Sequence, residues 1–141
     1  MNVSVGDIAA IATLAWTVYR RYKKSAKEGR DISDDVSNIG VILSEIDEDL
    51  KEDRTSLNSH REKRLLHLVD SADKVIRDLQ REIGRYDSLK TTTQKKFEIL
   101  RFAFKDVSSM RQRIINTTTN LVAFEVLLLR LVHLARLELS R

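Results

Sequence analysis

The stretch ISDDVSNIGVILSEIDEDL, residues 32–50, decides the fold. Ile32, Val36, Ile39, Leu43, Ile46 and Leu50 recur at intervals of 4, 3, 4, 3 and 4. That spacing lines one face of a helix and is the seam found in bundles and coiled coils; a strand would require alternation. Asp34, Asp35, Glu45, Asp49 and Glu52 lie off the seam.

The same pattern extends in both directions. Downstream, Leu65, Val69, Ala72, Ile76, Leu79, Ile83 and Tyr86 repeat at three and four residues, behind a Ser59/Glu62 capping box. Phe97, Leu100, Ala103, Val107, Met110, Ile114, Thr117, Leu121, Phe124, Leu128, Leu131 and Ala135 form a longer run, with a break expected near Lys105–Asp106. Upstream, Ile8, Ile11, Ala15, Val18, Tyr19 and Tyr22 share a face behind a Ser4/Asp7 capping box. Cations from Arg20 to Lys27 suit that helix's C-terminal end, and Gly29 is expected to stop it. The chain has no proline and only four glycines, which favours long helices.

The expected fold is all-α: one antiparallel four-helix bundle of up-down-up-down order over residues 1–141, with helices at about 5–27, 32–52, 59–89 and 94–139. Short connections should make sequential helices antiparallel neighbours. A two-chain coiled coil is the rival architecture, disfavoured by the polar turns between the seams.

Several chemistries are excluded. There is no cysteine, hence no disulfide, thiolate metal site or cysteine nucleophile. The four glycines are isolated and make no phosphate-binding loop. His60, His67 and His133 have no acidic relay partner in the sequence pattern and are read as surface residues. The acidic run at Glu45, Asp47, Glu48 and Asp49 lies on a helix and lacks a calcium-loop glycine, so it reads as a solvated face. We therefore expect no enzyme, no cofactor, no metal and no small-molecule substrate. The pI of about 9.5 permits nucleic acid, but the cations are scattered and the aromatics fall on seams, so none is expected. No basic leader opens the chain and residue 2 is Asn, so a secretory signal and myristoylation are not expected; a cytoplasmic location is.

Charge is polarised. Residues 1–30 hold six Lys/Arg against two Asp/Glu, whereas residues 31–53 hold one against nine. Ile8 to Tyr19 is a run of twelve uncharged residues, too short for the roughly 20 a membrane-spanning helix needs. It fits a core helix. It also fits a helix that enters a membrane surface, with Ile8, Ile11, Leu14 and Val18 in the acyl region and Trp16, Tyr19 and Tyr22 at its boundary. Arg20, Arg21, Lys23, Lys24 and Lys27 would then meet anionic head groups. At the other end, Val126, Leu127, Val132, Leu134 and Leu137 lie off the main seam. Leu127, Val132, Leu134 and Leu137 are read as a candidate partner interface.

Ser4-Val5-Gly6-Asp7-Ile8 followed by Leu14-Ala15-Trp16-Thr17-Val18-Tyr19 resembles the opening of the N-terminal helical domain of fungal NLR-like (STAND) proteins. Ile32-Ser33-Asp34-Asp35-Val36 with Leu43-Ser44-Glu45-Ile46 is similar to the second-helix pattern. Val75-Ile76-Arg77-Asp78-Leu79 and Tyr86-Asp87-Ser88-Leu89 resemble the third, and Met110-Arg111-Gln112-Arg113-Ile114 and Thr118-Thr119-Asn120-Leu121 the fourth. The order of these pieces covers nearly the whole chain and is similar to HeLo and HeLo-like cell-death domains. The resemblance implies a signalling or effector module preceding a sensor. Oligomerisation would drive its first helix onto a membrane, recruiting it to the plasma membrane. The alternative is an adaptor-like oligomerisation or docking domain without membrane activity. The expected partners are anionic lipids, further copies, or other helical signalling domains.

Overall fold

A computed structural model describes residues 4–23, 27–52, 57–87 and 107–140. They form a 3-10 turn, Val5–Asp7, and four helices: α1 Ile8–Tyr22, α2 Lys27–Glu52, α3 Ser59–Asp87 and α4 Val107–Leu139. No strand occurs among the described residues. The all-α bundle read from the seams is the observed fold. Residues 94–106, which include Phe97, Leu100, Ala103 and the expected break, lie outside the described residues, as does the 88–89 end expected for α3.

Two boundaries differ from expectation. α1 ends at Tyr22 and α2 already begins at Lys27, so Gly29 sits inside a helix and Lys27 opens α2 instead of closing α1. Glycine costs a helix interior about 1 kcal/mol, which neighbouring residues can offset; it stops a helix only where the chain must turn. The α1 end is met from α2: the buried Ser33 hydroxyl donates to the Tyr19 carbonyl at 3.1 Å. The same carbonyl also accepts the Lys23 backbone N–H at 2.9 Å. At the start of α3 the cap is Asn58, not Ser59. Its Oδ1 accepts from the Arg61 backbone N–H at 2.8 Å, and its carbonyl accepts from that of Glu62 at 2.9 Å. The Ser4/Asp7 box forms as read: the Asp7 carboxylate accepts from the Ser4 backbone N–H at 2.7 Å.

Three sets of contacts fix the helix directions. Gly40 of α2 lies against Ala15 and Trp16, and Ser33 reaches Tyr19, so α1 and α2 are antiparallel. Asp35 bridges Arg111 at 3.0 Å and Glu45 meets Glu125, so α2 and α4 run parallel. Asp78 bridges Arg113 at 3.0 Å while Ser71 and Lys74 face Thr117, so α3 and α4 are antiparallel. Directions therefore alternate up-down-up-down, but the packing order differs from the chain order. The most extensive packing is between α1 and α2, followed by α2 with α4, α3 with α4 and α1 with α3, whereas α2 and α3 barely touch. The expectation that all sequential helices are neighbours fails at that pair. α2 has one side for α1, around Ser33 and Gly40, and another for α4, around Asp35 and Glu45, which leaves α3 across the bundle.

The core holds Ile8, Ile11, Ala15 and Val18 of α1 with Val36, Ile39, Leu43 and Ile46 of α2. It is completed by Leu65, Val69, Ala72, Ile76 and Leu79 of α3 and Met110, Ile114, Leu121, Phe124 and Leu128 of α4. The seam of α4 drifts near its end: Val132 is buried in place of Leu131, and Ala135 is exposed. A straight helix drifts about 20° per heptad, so a strict seven-residue stripe leaves the core. Thr117, Thr118 and Thr119 each donate to the carbonyl four residues back, which accommodates three β-branched residues mid-helix.

Candidate functional site

α1 is sorted cleanly into two faces. Ile8, Ile11, Ala12, Ala15 and Val18 are buried, and Leu14 packs partly on the core. Ala9, Ala10, Thr13, Thr17, Arg20, Arg21 and Lys23 are exposed. Trp16 and Tyr19 are half-buried, ring centroids 5.7 Å apart and edge-on at 83°. A Cβ on Gly40 would lie 3.3 Å from Trp16 Nε1, so glycine lets α2 approach this ring. The structure thus brings Arg20, Arg21 and Lys23 to one exposed helix end, with the apolar lipid candidates Ile8, Ile11 and Val18 turned inward. Lys24 and the Tyr22 and Lys27 side chains lie outside the described set. No helix among the described residues is long and apolar enough to cross a membrane.

The distal half of α4 is sorted differently. Every residue from His133 to Ser140 is exposed. Ile115, Val122, Val126 and Leu129 form an outer stripe at intervals of 7, 4 and 3, each 41–49% exposed. Leu137 prolongs it at 47%, and Leu134, 59% exposed, lies to one side. Val126, Leu129, Arg130, His133 and Leu134 line a shallow apolar hollow. Of the four residues read as a partner interface, Leu134 and Leu137 are exposed, Leu127 is half-buried, and Val132 is buried and unavailable. The sequence reading missed Ile115, Val122 and Leu129; their heptad spacing beside the inner seam was the available signal.

The motifs that carry the resemblance sit at helix–helix contacts. Asp35 receives Arg111, Asp78 receives Arg113, and Ser33 closes α1. Arg111 and Arg113 stand near the positive end of the α4 dipole, where a carboxylate partner is most useful. Hydrogen bonding to Asp35 pushes the Arg111 pKa upward.

The acidic run of α2 is not wholly solvated. Glu125 of α4 packs against Glu45, near Asp49, with its Oε2 shielded from solvent and given no hydrogen-bond partner. Burial first, then the Glu45 carboxyl, then the charge of Asp49 push Glu125 up from 4.5 to about 7. Among the described residues no group of three or more His, Asp or Glu could hold a metal ion, and His60, His67 and His133 are exposed.

These features define a helical bundle with an exposed cationic end on its first helix and an exposed apolar stripe on its last. Compared with protein-family models, curated proteins and solved structures, the chain finds no match in any of the three.

Proposed function

We propose that this chain is a non-enzymatic signalling module that acts in regulated cell death by targeting a membrane through α1 after oligomerisation, as in the fungal receptor domains it resembles. The observation that carries this reading is the division of α1: a buried apolar face joined to an exposed cationic end at Arg20, Arg21 and Lys23. Burying a Val or Ile side chain contributes about 1.5–3 kcal/mol. Withdrawing Ile8, Ile11 and Val18 from the core therefore costs several kcal/mol before any lipid contact is made. The closed bundle is the resting state, and assembly plus lipid binding must offset that cost. Flotation with phosphatidylserine vesicles tests the reading. Wild-type chain and a Gly40→Leu variant, which loosens α1, should float. Adding R20E, R21E, K23E and K24E should abolish flotation of both. Equal flotation with and without the reversals, or none in any sample, rules the reading out.

The second reading, a docking domain without membrane action, is favoured by a separate observation. The outer stripe of α4 leaves six Ile, Val and Leu side chains at 41–59% exposure on one helix. Contiguous apolar surface of this kind marks interfaces.

A further inference from the structure

α3 and α4 leave a polar groove between them that shares no residue with the α1 end or the outer stripe of α4. It holds about 310 Å³ and is lined by Ser71, Lys74 and Val75 of α3 and by Arg113, Asn116 and Thr117 of α4. Val75, itself buried, supplies the apolar part of the lining, and none of the six residues is acidic. The ion pairs at the rim leave one positive charge over. Lys74 meets Asp70 at 2.9 Å, while Asp78 is shared between Arg113 at 3.0 Å and Arg81 at 3.7 Å. Asp73, the remaining acid of that stretch, is bridged by Arg77 at 2.7 Å. Next along α3, Glu82 and Arg85 are opposite in sign, and α4 has no acidic residue between Val107 and Phe124. The Lys74 and Arg113 side chains are 69% and 49% exposed, so their carboxylate partners hold them only weakly.

Hydrogen-bonding capacity is also left over. The Ser71 hydroxyl donates to the His67 carbonyl at 3.0 Å and the Thr117 hydroxyl to the Arg113 carbonyl at 2.9 Å. Both hydroxyl protons are thereby spent, and both oxygens remain as acceptors. Asn116 Oδ1 accepts from Gln112 Nε2 at 2.9 Å, while the Asn116 amide nitrogen donates to no described residue. Lys74 and Arg113 each keep N–H groups beyond those given to a carboxylate. We propose that this groove binds a phosphate monoester carried on a small hydroxylated molecule. Such a group bears a charge of about −1.5 to −2 at neutral pH and has three acceptor oxygens. One ligand group therefore engages Lys74, Arg113 and the Asn116 amide together, across both helices. A carboxylate ligand would only repeat what Asp70 and Asp78 already offer. The hydroxyls of the carrier donate to the Ser71 and Thr117 oxygens, and its carbon skeleton rests on Val75. The volume stands at the lower end of the range for small-molecule sites. Because the groove is open and its cations are partly neutralised, the affinity is modest, with a Kd of about 1 mM.

Amide NMR shifts of the whole chain, followed during titration with glucose 6-phosphate, test the site. The amides of Ser71, Lys74, Asn116 and Thr117 should move and saturate, whereas glucose, or sodium chloride at matched ionic strength, should leave them in place. Lys74→Gln/Arg113→Gln should raise the Kd at least about tenfold. Asn116→Asp, an exposed change that leaves both ion pairs intact, should do the same by replacing a donor with a negative charge. Both variants should keep the wild-type helicity. Shifts that do not saturate by about 20 mM overturn the site. So does saturation that survives in both variants, or that sodium chloride reproduces. Inorganic phosphate binding as tightly as glucose 6-phosphate overturns the hydroxylated carrier. Phosphatidic acid vesicles that capture the chain through Lys74 and Arg113, and that glucose 6-phosphate fails to displace, overturn the soluble ester in favour of a lipid phosphate.

Discussion

α1 and the distal half of α4 are both rich in apolar residues, and the fold uses them in opposite ways. In α1 the large side chains are folded inward and the outer face is left to alanine, threonine and arginine. In α4 the inner seam is filled by Leu121, Phe124, Leu128 and Val132, and Val122, Val126, Leu129, Leu134 and Leu137 remain outside. Apolar content alone therefore does not mark a surface for binding. The first helix holds its apolar side chains in the core and must be released to use them; the last presents a surplus that needs no rearrangement. The largest test of this contrast uses adjacent leucines. Leu128 is 1% exposed and Leu129 49%. Leu128→Ala should destabilise the chain by about 2–5 kcal/mol. Leu129→Ala should remain within about 1 kcal/mol, because half its surface already meets water. Urea unfolding, read as a change in midpoint at constant slope, measures both. Equal effects would mean that the outer stripe is part of the core.

The next effect probes how α1 is held. Gly40→Leu forces a side chain toward Trp16 and Ala15 and should destabilise by about 1–3 kcal/mol, the usual cost of overpacking. Trp16 is the only tryptophan, so its emission reports α1 directly. It should shift to longer wavelength as water reaches the ring, with helicity retained. A loss of stability with no spectral change would place the strain elsewhere.

How much of this was legible follows from which positions local periodicity controls. Ile32, Val36, Ile39, Leu43 and Ile46 were read as one face and are buried, as are Leu65, Val69, Ala72, Ile76 and Leu79. A seam is a local property, and any bundle that buries it satisfies the reading. The α1–α2 boundary differs because the cations and Gly29 resemble a helix stop, whereas α1 already ends at Tyr22 and Gly29 lies inside α2. The pairing of α2 with α4, and hence of Glu45 with Glu125, depends on packing order, which periodicity does not encode. For the site, Arg20, Arg21 and Lys23 of the cations named in α1 are exposed. Its apolar partners Ile8, Ile11 and Val18, which fit a core helix as well as a membrane helix, are core, and half of the α4 stripe lies outside a reading that followed the inner seam.

Ser33 gives a smaller effect. Ser33→Ala removes the hydrogen bond to the Tyr19 carbonyl and should cost about 1 kcal/mol. Because the lost bond ties the last turn of α1 to α2, hydrogen exchange should quicken at the α1 C-terminal amides and remain unchanged in α3. Uniform acceleration would mean that Ser33 supports the whole fold and not that end of the helix.

The smallest effect separates the α2–α4 contact from α1 altogether. Glu125 titrates at about 7 in the folded chain against 4.5 unfolded, so the folded state binds its proton more tightly. An acid raised in this way contributes stability that is complete below about 4.5 and is lost as pH rises through 7. The wild-type urea midpoint should therefore fall between pH 5 and pH 8. Glu125→Gln, which keeps the shape and cannot ionise, should match the wild type near pH 5 and exceed it at pH 8. The comparison between the two proteins cancels whatever the shared Asp35–Arg111 and Asp78–Arg113 bridges contribute. Hydrogen exchange at pH 8 should quicken in the distal half of α4 and leave Trp16 emission unchanged, since Glu45 and Asp49 lie on the side of α2 turned away from α1. If the two midpoints run parallel across this range, Glu125 is ionised in the fold and the α2–α4 contact tolerates the charge.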